Sequence, residues 1–175
     1  MRDFTLHSYK SLISKLKDEK YIFFTFEEYC LGKASGKFIL LRHDVDLRAV
    51  NSLSVAKIEH ELGIRSTYYF RVVPGSNQPE IIQQIAALGH EIGYHYEDLS
   101  LLKGDMPTAI SHFEQQLTYF RNFYPVQTIC MHGSPTSQYD NKDLWLQFDY
   151  HSFGIIGEPY FDIFGAGHKK AVKDI

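Results

Sequence analysis

An α/β fold built on a parallel sheet is what this sequence predicts, and three observations predict it. Strand-like and helix-like segments alternate at least three times with short links, which implies βαβ units with right-handed crossovers. The stretch FILLRHDVDL at 38–47 begins with a continuous apolar run, as does a strand buried on both faces of a helix-covered sheet. Its charged residues, Arg42, His43, Asp44 and Asp46, crowd the carboxyl end of that strand, where α/β folds bind ligands.

From the N-terminus, Thr5 opens a predicted surface helix over 5–19 with Leu6, Tyr9, Leu12, Ile13 and Leu16 on one face. Lys15, Lys17 and Lys20 lie towards its end, where the helix dipole favours cations. YIFFTF (21–26) reads as a short strand, EEYCLG as a turn of helix closed by Gly32, and 33–37 as a loop. After the HDVD cluster, Val55, Ile58 and Leu62 fall at helical spacing over 48–62, with Gly63 in the C′ position. RSTYYFRVV (65–73) is rich in β-branched and aromatic residues and reads as a strand, followed by a turn at 74–77. Pro79 suits the first turn of a helix carrying Ile81, Ile82, Ile85 and Leu88, ended by Gly89. HEIGYH (90–95) is the next strand. Asp105 and Pro107 open the clearest helix, with Ile110, Phe113, Leu117, Phe120 and Tyr124 on one face and Pro125 as its stop. VQTICMH (126–132) is a fourth strand of the parallel set; LWLQF reads as a short helix and YHSFGIIG (150–157) as a fifth strand. The tail from Gly165 shows no regular period.

Composition narrows the function. A chain of 175 residues is long enough for one domain with a sizeable core, and 44% hydrophobic with 22% charged residues is ordinary for a globular protein. Aromatics reach 15%; the surplus tyrosine either packs the core or lines a sugar groove, and core packing is the more general explanation. A net charge of −3 supplies no attraction for nucleic acid or an anionic membrane. Cys30 and Cys130 are far apart in sequence and read as reduced thiols of a cytoplasmic protein. The first residues contain no apolar signal segment, and no run has the length of a membrane span.

Three strands end in groups able to hold a metal or move protons: His43, Asp44 and Asp46 on the first, His95, Glu97 and Asp98 on the next, His132 on the last. Arg71 lies near the end of the strand between them. Each residue alone has a plainer reading; Asp46, for example, is well placed to cap the following helix. In a parallel sheet, however, these ends lie on one rim. If the first strand continues through the cluster, Asp44 and Asp46 share a side, roughly 6–7 Å apart by backbone rise, so either carboxylate would serve as a ligand and the other would handle a proton. Aspartate with histidine is a ligand set for a borderline divalent ion such as zinc, with a second carboxylate as general base and a histidine as general acid. His90 has the opposite parity to His95 and is expected to be structural.

The succession LRHDVD, STYYF and GHEIGYH resembles the polysaccharide deacetylase family, the NodB-homology carbohydrate esterases, over residues 36–135. The resemblance implies a distorted (β/α) barrel, shortened here to an incomplete one. On that basis residues 1–175 form a single domain: an N-terminal extension at 1–35, the deacetylase-like core at 36–164, and an irregular tail at 165–175. In the family the first Asp of an adjacent pair is the base and the second binds the metal, which places Asp46 and His95 on metal-ligand positions. The pair is split here by Val45, so Asp44 is expected to act as base from one position earlier. The family's second metal histidine would fall on Leu99, and His132 is the first choice to replace it, ahead of Glu97 and Asp44; His132 is also carried as a catalytic residue. Arg71 and Glu97 are expected to bind or orient substrate. No later motif matches, and His151 is a weak substitute for the acid histidine.

The implied function is hydrolysis of an amide C–N bond by a divalent metal, zinc by expectation, deacetylating an N-acetylated carbohydrate or another amide-bearing small substrate. Neither nucleic acid nor membrane is an expected partner, and an open barrel leaves a sheet edge for oligomerisation. The rival expectation is a catalytically degenerate deacetylase fold that binds carbohydrate or a partner chain.

Overall fold

The structure, a computed structural model, describes residues 5–134 and 136–163. Helix α1 (Leu6–Asp18) starts where Thr5 Oγ1 accepts the Ser8 amide at 3.1 Å, and it buries Tyr9 and Ile13. Strand β1 (Ile22–Phe24) is followed by α2 (Phe26–Cys30), which opens on a capping box between Thr25 and Glu28. The stretch read as one strand over 38–47 is two: β2 (Phe38–Leu40) pairs in parallel with β1, and β3 (Arg42–Val45) pairs with β4 (Thr67–Phe70), with Leu41 at the change of partner. Helix α3 (Ala49–Glu61) joins β3 to β4, and α4 (Pro79–Ala87) joins β4 to β5 (Glu91–Tyr96). A short α5 (Asp98–Leu101) and the long α6 (Met106–Phe120) lead to β6 (Ile129–Met131). The order β3-β4-β5-β6 is parallel throughout, so the alternation in sequence corresponds to successive βα crossovers.

The fifth strand expected over 150–157 does not form. Tyr150–Phe153 is a 3₁₀ turn ended by Gly154 at φ 71°, and Gly157 then makes an isolated parallel bridge to Thr128. The short helix expected at LWLQF is a 3₁₀ turn, Asn141–Leu146, and α7 (Pro159–Asp162) follows. The tail at 165–175 lies outside the described residues. Among the described residues no helix is long and apolar enough to cross a membrane.

The two faces of the sheet differ in kind. On the outer face, Tyr68, Phe70, Ile92, Tyr94 and Ile129 are buried with Leu53, Ile82, Ile85, Phe113 and Leu117 from α3, α4 and α6. Each such side chain contributes about 1.5–3 kcal/mol on burial. The surplus tyrosine therefore goes largely into the core. On the inner face, Glu91 is buried and accepts from the Thr67 hydroxyl at 2.6 Å, the Glu27 amide at 2.9 Å and the Thr128 hydroxyl. Tyr69 lies over Gly93, where an added Cβ would sit 2.3 Å from its ring. Phe26 of α2 packs against Tyr69 and Cys130, and its amide donates to Thr67 Oγ1 at 2.9 Å. Helix α2 thus fills the interior from the N-terminal side and leaves the carboxyl ends of the strands for chemistry.

Candidate functional site

Asp46 just beyond β3, His95 within β5 and His132 just beyond β6 meet at those carboxyl ends. Asp46 Oδ1 lies 3.0 Å from His132 Nδ1 and 3.6 Å from His95 Nε2, and the two ring nitrogens are 3.2 Å apart. Three ligands of one tetrahedral ion with bonds of about 2.0–2.1 Å would be about 3.4 Å apart, so the donor set fits a zinc-like ion. The Asp46 side chain is 50% exposed, which leaves a side open to water or substrate.

Each of these three side chains is held by its own backbone or a neighbour. His95 Nδ1 donates to the Cys130 carbonyl at 2.9 Å, which fixes the tautomer and turns the Nε2 lone pair to the site. Burial pushes the His95 pKa down to about 4, keeping the ring in the neutral form that metal binding requires. The His132 amide extends the β5–β6 ladder by donating to the Tyr96 carbonyl at 2.8 Å. Its own carbonyl accepts from Asn141 Nδ2 at 2.9 Å, and buried Asn141 accepts the Ser100 amide at 2.8 Å.

Asp46 reaches the cluster because β3 stops at Val45 instead of running through it. Its amide folds back to the Asp44 carbonyl at 3.1 Å, while Ser76 Oγ accepts the Arg71 amide at 2.9 Å and donates to the Val45 carbonyl, tying the ends of β3 and β4 together. Asp46 does not cap the next helix; the N-cap is Arg48, in the left-handed region at φ 55° with no side-chain cap bond. Arg71 donates from Nε and Nη2 to the two Glu97 oxygens at 2.8 Å each and brings Nη1 to 3.9 Å from Asp46 Oδ1. Glu97, expected on the substrate, is buried with both oxygens occupied by Arg71.

Asp44 lies on the inner face beside Arg42, whose Nη2 is 3.0 Å from Asp44 Oδ2. It forms a second ligand-capable group with His95 and Cys130, all ligand atoms lying within 4.8 Å of one another. Both groups use His95, and Asp44 and Asp46 line one cavity, while Val45 is buried in the outer core. Leu99, where the resemblance placed a second metal histidine, is buried on α5 in that same outer core, which is why the third ligand has to come from another strand. His151 is elsewhere, its Nδ1 donating to the Ile155 carbonyl at 2.9 Å.

Sequence reasoning counted Arg42 in the charged cluster but gave it no role beside Asp44, although its parity with Asp44 along β3 was a usable signal. It missed Asn141, for which no local signal exists. His43, read with the charged cluster, faces outward and donates from Nε2 to Glu59 Oε1 at 2.7 Å. His90 faces outward as its parity predicts, buried against the Ala56 carbonyl at 3.0 Å and the Ser66 amide at 3.2 Å.

Among solved structures, the chain is similar to the Streptococcus pyogenes deacetylase PplD in complex with acetate, with a TM-score of 0.59. The likeness covers 86% of this chain and 70% of that one at 15% sequence identity. This chain has the fold of a deacetylase. No family model matches the sequence, and no curated protein matches it. The shared fold is the incomplete α/β barrel expected from LRHDVD, STYYF and GHEIGYH.

Proposed function

We propose that this protein is a metal-dependent hydrolase of amide C–N bonds that deacetylates an N-acetylated carbohydrate. The observation that carries the reading is the convergence of Asp46, His95 and His132 at ligand spacing, with Asp44 beside them. A divalent ion bound by these three residues, zinc by its fit to two imidazoles and a carboxylate, would polarise the amide carbonyl and acidify a water towards neutrality. Asp44, held by the Arg42 guanidinium at 3.0 Å, would serve as the general base for the attacking water. Arg71 keeps Glu97 engaged and sets a positive charge beside Asp46, which steadies that carboxylate in its ligand orientation. Two cysteines far apart in sequence suit a reducing compartment, and the cytoplasm is the location we assign.

The test is acetate release from N-acetylglucosamine oligomers by zinc-loaded protein. Release that disappears in Asp44→Asn while zinc stays bound supports the assignment. Zinc binding without release of acetate from any acetylated amino sugar would make the chain a binding protein. Absence of zinc binding would overturn the metal centre itself.

A further inference from the structure

Two polar cavities flank the metal-ligand cluster, and they connect to it differently. The first, of about 440 Å³, lies against β3 and the N-terminal half of α3, and both Asp44 and Asp46 line it. The second, of about 390 Å³, lies beside α5 and touches the cluster's surroundings through Glu97, whose carboxylate is already held by Arg71. Only a ligand in the first cavity meets directly both the expected base and an expected metal ligand.

The first cavity also has fixed polar walls. His43 lines it with its imidazole locked by the buried Glu59 carboxylate at 2.7 Å and stacked on Tyr68 at 4.5 Å between centroids. Helix α3 contributes Asn51 and Ser52 from its first turn. An amide, a hydroxyl and an immobilised imidazole supply donors and acceptors suited to the hydroxyls of one sugar ring. The volume falls within the range of about 300–1,000 Å³ usual for small-molecule sites.

We propose that this cavity beside β3 holds the non-reacting part of the substrate, a single sugar-sized polyhydroxylated unit, and that Asn51 and Ser52 determine its specificity. The proposal rests on the hydrolase reading for the identity of the reacting group, but the cavity is tested by binding alone. Ser52→Phe places a ring into the space from α3, and Asn51→Ala removes the amide without adding bulk; Gln138→Ala alters the second cavity and serves as the control. The probe is N-acetylglucosamine, titrated by calorimetry into the full chain, with Co²⁺ absorbance read in parallel. The expected result is at least a tenfold loss of sugar affinity in Ser52→Phe, a smaller loss in Asn51→Ala, and none in Gln138→Ala, with Co²⁺ binding unchanged in all three. Sugar affinity that survives Ser52→Phe, or that falls in Gln138→Ala instead, overturns the proposal. So does absence of sugar binding by the unaltered protein at millimolar concentration, and intact Co²⁺ binding in that case leaves the metal centre standing.

Discussion

Two assemblies of imidazole and carboxylate belong to the same sheet, one on its outer face and one at its carboxyl rim, and their difference lies in what else reaches the carboxylate. On the outer face Glu59 is buried and accepts from His43 Nε2 at 2.7 Å, Ser66 Oγ and Tyr68 Oη at 2.6 Å each, and the Tyr9 hydroxyl. Burial alone would raise its pKa; the donors, His43 foremost, outweigh burial and hold it down to about 2. At the rim Asp46 is half exposed and faces ring nitrogens at 3.0 and 3.6 Å. The same residue types therefore make a structural knot where hydroxyls occupy the lone pairs, and a candidate ligand set where they do not.

Exchanging the roles of these two assemblies is the way to break the comparison. The largest effect is expected for His95→Ala, which removes a proposed ligand at the rim and should weaken Co²⁺ binding by roughly 100-fold or more, beyond what loss of a supporting hydrogen bond costs. Urea unfolding of the same variant gives its separate effect on stability. Glu59→Gln should do the reverse, destabilising the fold by about 2–3 kcal/mol in urea unfolding while leaving Co²⁺ affinity within error. A Glu59→Gln variant that loses metal instead would show that the two assemblies are coupled through β3.

The same glutamate sets a pH signature. Its folded pKa is depressed from 4.5 to about 2, so its contribution is complete above pH 4.5 and is lost as pH falls towards 2. The loss should reach about 3 kcal/mol, and Glu59→Gln should flatten that part of the stability curve. Glu158 acts with the opposite sign: burial raises it from 4.5 to about 7, so the stability it favours at low pH declines as pH rises across that interval.

Smaller effects sharpen the comparison. Asn141→Ala frees the His132 carbonyl and the Ser100 amide and should cost about tenfold in Co²⁺ affinity, the low end for a supporting contact. An unchanged affinity would mean that the ladder bond to Tyr96 positions His132 unaided. Least of all, Lys10→Ala should change stability by less than about 1 kcal/mol. Its 2.9 Å pair with Glu61 joins α1 to α3 in solvent, whereas Tyr9 joins the same helices through buried Glu59.

Much of the frame was legible locally. The caps at Thr5 and Asp105, the glycines at 63 and 89, and the apolar run at 38–41 mark their elements because they act through near neighbours. The segment 150–157 misled because an apolar stretch with Gly154 satisfies strand composition, whereas 3₁₀ bonding to Asp149 and a left-handed glycine turn it instead. At the site, the motif order pointed to Asp46 and His95, and strand alternation could have paired Arg42 with Asp44.

Residue order alone therefore settled the parallel α/β plan and the crowding of carboxylates and imidazoles at strand ends, since periodicity and capping are short-range. Tertiary structure decided which of those groups meet. Ending β3 at Val45 brings Asp46 to the rim, and pairing β6 with β5 carries His132 to within 3.2 Å of His95. The outward face of β3 gives His43 to Glu59. Such meetings depend on where strands stop and which neighbours they take, and those are properties of the packed sheet.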